Sequence, residues 1–323
     1  MHVDVSPSRF RWARERARMT SAALARRFPK LEQWESGEVR PTLKQLEKFA
    51  KATYAPIGFF FLPDPPQEPV PIPDFRIVRD ATIARPSPDL LDTLYICQQR
   101  QEWYRDFART EGEESLGFVG SLTTDTPVEA AADAIRLALH FSVEERQSMG
   151  TWAEALRGFI EQADAAGILV MVSGVVGNNN RRKLDPDEFR GFALSDPFAP
   201  LVFINGADSR SAQMFTLAHE IAHLWLGETA LSDVDPRSTS TIRVEQWCNQ
   251  VAAELLAPMN VANEPDRAVS VGGRPTRDAY LSKLFARAMG VSTLEGRSTF
   301  TEALRLLGVS KVATLHEIFP PTQ

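Results

Sequence analysis

Cysteine is scarce in this chain of 323 residues, which contains only Cys97 and Cys248. Two cysteines cannot form a disulfide framework, and they lack the spacing of a zinc finger. Long apolar runs are also missing, because no stretch approaches the roughly 20 residues that a transmembrane helix needs. The first residues carry neither the basic segment nor the apolar segment of a signal peptide. We therefore expect a cytoplasmic protein that does not contact a membrane.

The composition is that of a globular protein, with 43% hydrophobic and 24% charged residues. A chain of this length should form two or three domains. The formal net charge of −6 argues against nucleic-acid affinity of the whole molecule. The charge is unevenly distributed, however, because residues 1–52 carry twelve Lys and Arg against six Asp and Glu.

One motif in the middle of the chain carries a clear chemical meaning, the H-E-x-x-H of His219, Glu220 and His223. The stretch 214–226 reads as a core helix that begins after a polar run and ends at Gly227, a position that favours left-handed backbone. Four residues make about one helical turn, so both imidazoles leave the same face and can hold one metal ion. Glu220 lies beside them and is suited to deprotonate water. The alternative is two core histidines next to a chance glutamate.

Two histidines leave a catalytic zinc site incomplete, because such a site takes three protein ligands and keeps a fourth position for water. The next predicted helix, which ends before Pro258, places Glu245 and Asn249 one turn apart on the same face. We assign Glu245 as the third ligand and Asn249 as a residue that orients a ligand. Glu254 lies about half a revolution away and stays the alternative third ligand. Zn²⁺ is the expected ion, with Mn²⁺ or Fe²⁺ possible in its place.

The arrangement resembles the gluzincin plan, and its surroundings resemble the ImmA/IrrE family of bacterial metallopeptidases. The matching stretches are Arg190–Asp196, Ala199–Asn205, Ala212–Glu220 and Glu245–Pro258. The resemblance implies a zincin-like domain that cleaves a protein, most often a helix-turn-helix repressor in a stress-response or mobile-element switch. It also implies that an edge strand within residues 192–204 pairs with the extended substrate. Cys248 stands where the family usually has alanine, either as a small packing residue or as a redox-active thiol.

The basic N-terminal segment resembles a helix-turn-helix domain of the repressor type. Its predicted helices are Ser8–Met19, Ser21–Phe28, Lys30–Glu38 and Leu43–Thr53. The interval between Ala25 and Glu35 is about four residues shorter than usual, which removes the turn and the start of the helix that normally reads base edges. We therefore expect weak or no DNA binding, although basic side chains remain for phosphate contacts or for docking.

The chain as a whole is predicted to be an α+β protein, mostly helical. The predicted domains are a helix-turn-helix-like helical domain in 1–62, a proline-rich linker with a long helix in 63–124, a zinc metallopeptidase domain in 125–260, and a C-terminal helical region in 261–323. Predicted strands are Gly167–Val172, Phe192–Leu194 and Pro200–Ile204. Helices are predicted at Tyr280–Met289 and Phe300–Leu307 in the C-terminal region.

Three functions remain open on these observations. The preferred one is a cytoplasmic zinc endopeptidase that cuts a protein substrate. A DNA-binding regulator, or an antitoxin-like protein, would use the same domain only as a sensing or binding module. A housekeeping hydrolase that trims peptides would share the chemistry but would have no regulatory target.

Overall fold

A computed structural model of the protein describes residues 1–73, 85–141, 151–232, 243–256 and 279–309. These residues divide into two compact units, one formed by 1–71 and 85–92 and the other by 72–73 and the described residues from 93 onward. They contain eleven α-helices and one five-stranded sheet, which confirms the prediction of a mostly helical α+β protein. The finer division into four domains stays a prediction.

The first unit is a bundle of short helices. Its elements are α1 (Pro7–Arg16), α2 (Ser21–Ala25), α3 (Leu31–Ser36), α4 (Leu43–Ala52) and a 3₁₀ helix at Ile57–Phe61. All four α-helices are shorter than predicted. Helix α3 ends early because Gly37 adopts a φ of 82°, which an L side chain rarely tolerates. Helix α4 begins sharply because Thr42 and Gln45 form a capping box.

An aromatic cluster holds this unit together. The ring of Phe10 lies 5.6 Å from Trp34, 5.5 Å from Phe49 and 5.8 Å from Phe60, measured between centroids. Phe60 belongs to the 3₁₀ helix and is only 1% exposed. Because aromatic rings bury large areas, these four side chains contribute strongly to the core of a small domain.

The second unit combines helices with the sheet. The remaining elements are α5 (Pro88–Glu111), α6 (Val128–Leu139), α7 (Trp152–Ala165), β1 (Leu169–Ser173), β2 (Gly191–Leu194), β3 (Leu201–Asn205), α8 (Arg210–Leu226), β4 (Ala230–Ser232), α9 (Arg243–Leu256), β5 (Tyr280–Leu281), α10 (Lys283–Leu294) and α11 (Phe300–Leu307). None of the helices in the described part of the chain has both the length and the apolarity to cross a membrane.

The strand order in the sheet is β4-β2-β3-β1-β5. Strands β1 and β3 are parallel, and the other neighbours are antiparallel. The expectation of an edge strand within residues 192–204 is therefore wrong, because β2 and β3 both have neighbours on each side. Strand β4, which covers β2, was not predicted from the sequence. The outward backbone N–H of Leu231 in β4 donates to the carbonyl of Pro73 at 2.9 Å, and the preceding Ile72 is buried.

Tyr280 and Leu281 were predicted to begin a helix, and this was also wrong. They form β5 by pairing with Val172 and Met171 of β1. The helix α10 starts only at Lys283, after Ser282 caps it by accepting the backbone N–H of Phe285. Tyrosine and leucine fit a half-buried strand as well as a helix, so the long-range pairing with β1 decides the outcome.

One face of the sheet packs against α8. Val170 and Val202 of neighbouring strands share a buried cluster with Leu217 of α8 and Val251 of α9. Since side chains alternate along a strand, the residues Met171 and Phe203 that follow these valines lie on the opposite face. The sheet thus packs against α8 with one face, and the opposite face of the sheet contacts other elements.

Candidate metal centre

Helix α8 is fixed at both ends by its own sequence. At its start, the Ser209 side chain accepts the backbone N–H of Ala212, and at its end Gly227 adopts a φ of 73°. The helix therefore ends at Leu226, as predicted. Its middle carries His219, Glu220 and His223, all fully buried. Three buried polar side chains at one place require compensation of their lost hydration.

Helix α9 packs beside α8 and brings Glu245 to the two histidines. The Nε2 atoms of His219 and His223 are 3.1 Å apart. The carboxylate of Glu245 places Oε2 3.2 Å from Nε2 of His219 and Oε1 3.2 Å from Nε2 of His223. Glu245 is only 4% exposed. The three side chains predicted as metal ligands therefore meet at one buried point.

The spacing of these donor atoms fits a tetrahedral metal ion. Ligand atoms that each lie about 2.0–2.1 Å from zinc in a tetrahedron are about 3.3–3.4 Å apart, close to the distances in the protein. Two imidazole nitrogens and one carboxylate also form a donor set that zinc prefers. Three such ligands leave one position open, which is the arrangement of a catalytic rather than a structural site.

The charge state of the cluster is suited to a cation. Burial opposes the charge on Glu245, but its contacts with His219 and His223 outweigh this effect and lower its pKa to about 2. Burial lowers the pKa of His223, with a further lowering by His219 that the contact with Glu245 opposes. A carboxylate that stays ionised beside an imidazole that stays neutral is the protonation pattern that metal binding needs.

Glu220 lies outside the triangle of donor atoms, over Gly191 of β2. A Cβ atom at Gly191 would lie 3.2 Å from Oε1 of Glu220, 2.9 Å from the carbonyl oxygen of Phe203 and 2.5 Å from Cγ2 of Thr216. Only glycine fits where strand and helix approach so closely. Gly191 was not among the residues predicted for the site, although a glycine at the start of a buried strand was a signal for such a contact.

Two other side chains of α9 were candidates for the site. Asn249 is half-buried one turn after Glu245, and its enclosed Oδ1 accepts no hydrogen bond within the described residues. Its role in orienting a ligand stays a prediction. Glu254 is absent from the cluster of possible ligands found among the described residues, and its backbone carbonyl accepts a hydrogen bond from Arg136. The packing of α8 and α9 thus brings Glu245 rather than Glu254 to the histidines.

Cys248 is fully buried in α9, three residues after the candidate ligand Glu245. Burial raises the pKa of its thiol well above the usual value, and the charges of Glu245, Glu220 and Glu228 add to the effect. A thiol that stays protonated and shielded from solvent reacts poorly with oxidants. The structure therefore favours the packing role of Cys248 over the redox role.

If the N-terminal unit is a helix-turn-helix domain, as predicted from the sequence, α3 would be its recognition helix. It contains no Lys or Arg, and its exposed residues include Glu32 and Gln33. Arg26 and Arg27, in the segment before α3, are exposed. An acidic side chain on the helix that would enter the groove repels phosphate, so this surface is poorly suited to DNA.

Comparison with known proteins identifies the domain around the metal centre. Residues 163–264, which include α8 and α9, match the family model Peptidase_M78, described as the IrrE N-terminal-like domain. Residues 281–319 match a domain of unknown function, DUF8813. No curated protein and no solved structure matches the chain.

The match at residues 163–264 defines a metallopeptidase domain. It confirms the resemblance to the ImmA/IrrE family for the part of the chain that contains the metal centre. It supports a zinc metallopeptidase of that type. The likeness of the N-terminal unit to a helix-turn-helix domain stays a prediction.

Proposed function

We propose that the protein is a zinc-dependent endopeptidase that hydrolyses a peptide bond within a protein substrate. The observation that carries this proposal is the buried triangle of His219, His223 and Glu245 donor atoms, with Glu220 next to the first ligand in sequence. The three residues of the triangle would hold the metal. A divalent ion bound there supplies Lewis acidity, which polarises a carbonyl oxygen and makes a water molecule more acidic.

Glu220 is the general base in this proposal. Its carboxylate is fully buried at the side of the triangle, over Gly191, where it could accept a proton from the attacking water. Glu220 would then pass this proton to the nitrogen of the departing amine. Asn249 would hold one ligand in orientation.

An extended substrate segment would add to an edge strand of the sheet. The edges of the sheet in the described residues are β4 and β5, and β4 is the nearer one to Glu220. Its residue Ser232 pairs with Gly191, against which Glu220 lies. We assign the substrate-binding edge to β4 in place of the 192–204 region.

The proposed substrate is a helix-turn-helix transcriptional repressor, cleaved in a linker or an exposed loop. This part of the proposal rests mainly on the family resemblance. The absence of basic side chains from α3 adds support, because such a surface is better suited to contact a protein than DNA. Residues 1–62 should therefore increase the efficiency of cleavage without taking part in the chemistry, and the reaction would take place in the cytoplasm.

The test is incubation of the metal-loaded protein with a repressor encoded next to it, with the fragments followed by mass spectrometry. The Glu220→Gln variant is the control for contaminating proteases. A single cut in a loop or linker, absent with the control, supports the proposal. Degradation of unrelated unfolded proteins with an intact repressor would replace it with a housekeeping hydrolase. Failure of the metal-loaded protein to cut any polypeptide would refute the peptidase itself.

A further inference from the structure

A cavity of about 100 Å³ lies on the face of the sheet that is turned away from α8. Met171 of β1 and Phe203 of β3 line its sheet side, and they alternate with the valines that pack against α8. Helix α5 contributes Arg100, and the loop after β1 contributes Asn178. The cavity is therefore separate from the metal centre.

Arg100 brings a positive charge into this cavity, and the described part of the chain gives it no acidic partner. Its Nε donates to the carbonyl of Leu306 at 2.8 Å, and its Nη1 lies 3.3 Å from Sδ of Met171. Among the described residues, no carboxylate lies within ion-pair distance of its guanidinium. A thioether is a weak acceptor, so most of the five guanidinium N–H donors have no strong acceptor.

The contact with Leu306 has a structural explanation. Leu306 is next to last in α11, and a cation at the end of a helix satisfies a free carbonyl and interacts well with the helix dipole. This explains the hydrogen bond of Nε but not the position of the other end of Arg100 in the cavity. Burial lowers the pKa of Arg100, because the charged guanidinium loses hydration in the protein interior.

A second donor lies close to the free end of Arg100. The place that a Cβ atom of Gly308 would take is 3.4 Å from Nδ2 of Asn178 and 3.6 Å from Nη2 of Arg100. Asn178 is exposed, so the cavity reaches solvent there. The loop folds back on itself, with Val176 donating to the carbonyl of Arg182 at 2.9 Å. The cationic residues 181–183 add positive potential near the entrance.

We infer that this cavity binds a small carboxylate, held by the free end of the Arg100 guanidinium and by the amide of Asn178. A carboxylate can accept hydrogen bonds from two N–H groups of one guanidinium, and its negative charge neutralises the positive charge of the arginine. The volume corresponds to roughly three water molecules, so the ligand is of the size of acetate or pyruvate. The inference does not depend on the peptidase proposal.

The first test is thermal unfolding of the full-length protein with increasing sodium acetate or sodium pyruvate at constant ionic strength. Acetamide, which has the same shape as acetate but no charge, is the matched control ligand. Binding to the folded state raises Tm with carboxylate concentration until the site is saturated. The inference requires this rise with a carboxylate and its absence with acetamide. No saturable rise, an equal rise with acetamide, or tighter binding of inorganic phosphate overturns it.

The second test uses variants at the entrance. Asn178→Asp places a negative charge at the cavity, whereas Asn180→Asp places the same charge two residues further, on an exposed residue that does not line it. The first should weaken carboxylate binding by about tenfold or more, and the second should leave it unchanged. Arg100→Met should abolish the response. If Arg100→Met does not fold, the comparison of Asn178→Asp with Asn180→Asp remains as the test. Equal carboxylate binding by these two variants overturns the inference.

Discussion

The contact between β2 and α8 makes Gly191 sensitive to the smallest possible substitution. In Gly191→Ala the new methyl group would overlap Cγ2 of Thr216, 2.5 Å away, and the carbonyl oxygen of Phe203, 2.9 Å away. Real Cβ atoms do not come this close, so the strand and the helix must separate. Overpacking of a rigid core costs typically about 1–3 kcal/mol, and we expect a destabilisation in this range.

The separation should affect activity as well as stability. Oε1 of Glu220 lies 3.2 Å from the site of the new methyl group, whereas His219 and His223 project toward α9. We therefore expect Gly191→Ala to lose peptidase activity while it still binds one metal ion per chain. Urea unfolding gives the change in stability, and elemental analysis gives the metal content. Gly58→Ala is the control, because a Cβ atom there would meet nothing within 4 Å.

A double variant tests the geometric explanation. Thr216→Ser removes Cγ2, the atom nearest to the new methyl group, and keeps the hydroxyl group. Gly191→Ala with Thr216→Ser should therefore regain part of the stability that Gly191→Ala loses, beyond the sum of the single effects. The contact with Phe203 remains, so the recovery is incomplete. If Gly191→Ala unfolds at the same urea concentration as the wild type and keeps full activity, the close approach of β2 and α8 is refuted.

Three other predictions concern the metal ligands and the N-terminal unit. Glu220→Gln should keep the metal ion and lose proteolysis, whereas His223→Ala should lose both; equal metal loss in the two variants would contradict the assigned roles. Glu245→Ala should weaken metal affinity by orders of magnitude, and Glu254→Ala should act mainly on stability; a metal titration with the reverse order would move the ligand to Glu254. The full-length protein should bind duplex DNA weakly and without sequence preference, and salt should abolish the binding. A salt-resistant, sequence-specific complex would revive the regulator hypothesis.

The grouping of the candidate metal ligands was predictable because its information is local. His219, Glu220 and His223 lie within about one turn of one helix, and both ends of that helix carry recognisable capping residues. Glu245 required one more step, the helical periodicity of α9, which places it on the face that meets α8. Its distance from the histidines depends on the packing of two helices, but the half revolution between Glu245 and Glu254 was enough to prefer Glu245 as the candidate ligand.

The parts that the sequence analysis missed depend on long-range contacts. Strand β4 has three residues, too few for a recognisable alternation, and it exists because β2 offers a neighbour. Tyr280 and Leu281 become a strand through β1, more than 100 residues earlier in the chain. Arg100 likewise could not be recognised from the sequence as a candidate binding residue, because the cavity that it lines forms only where α5, β1 and α11 meet. Periodicity within a segment carries no information about such partners.

The hydrogen bond between Leu231 and Pro73 affects how a peptide can pair with the outer edge of β4. Leu231 is the central residue of this three-residue strand, and its outward N–H already donates to Pro73. Proline has no N–H to return, so the segment at residues 72–73 occupies the donor without forming a regular ladder. A peptide that pairs with β4 has to compete for this donor. The affinity of β4 for such a peptide is therefore reduced by the free energy of the contact that it displaces, and removal of that contact should tighten binding without any change at the metal.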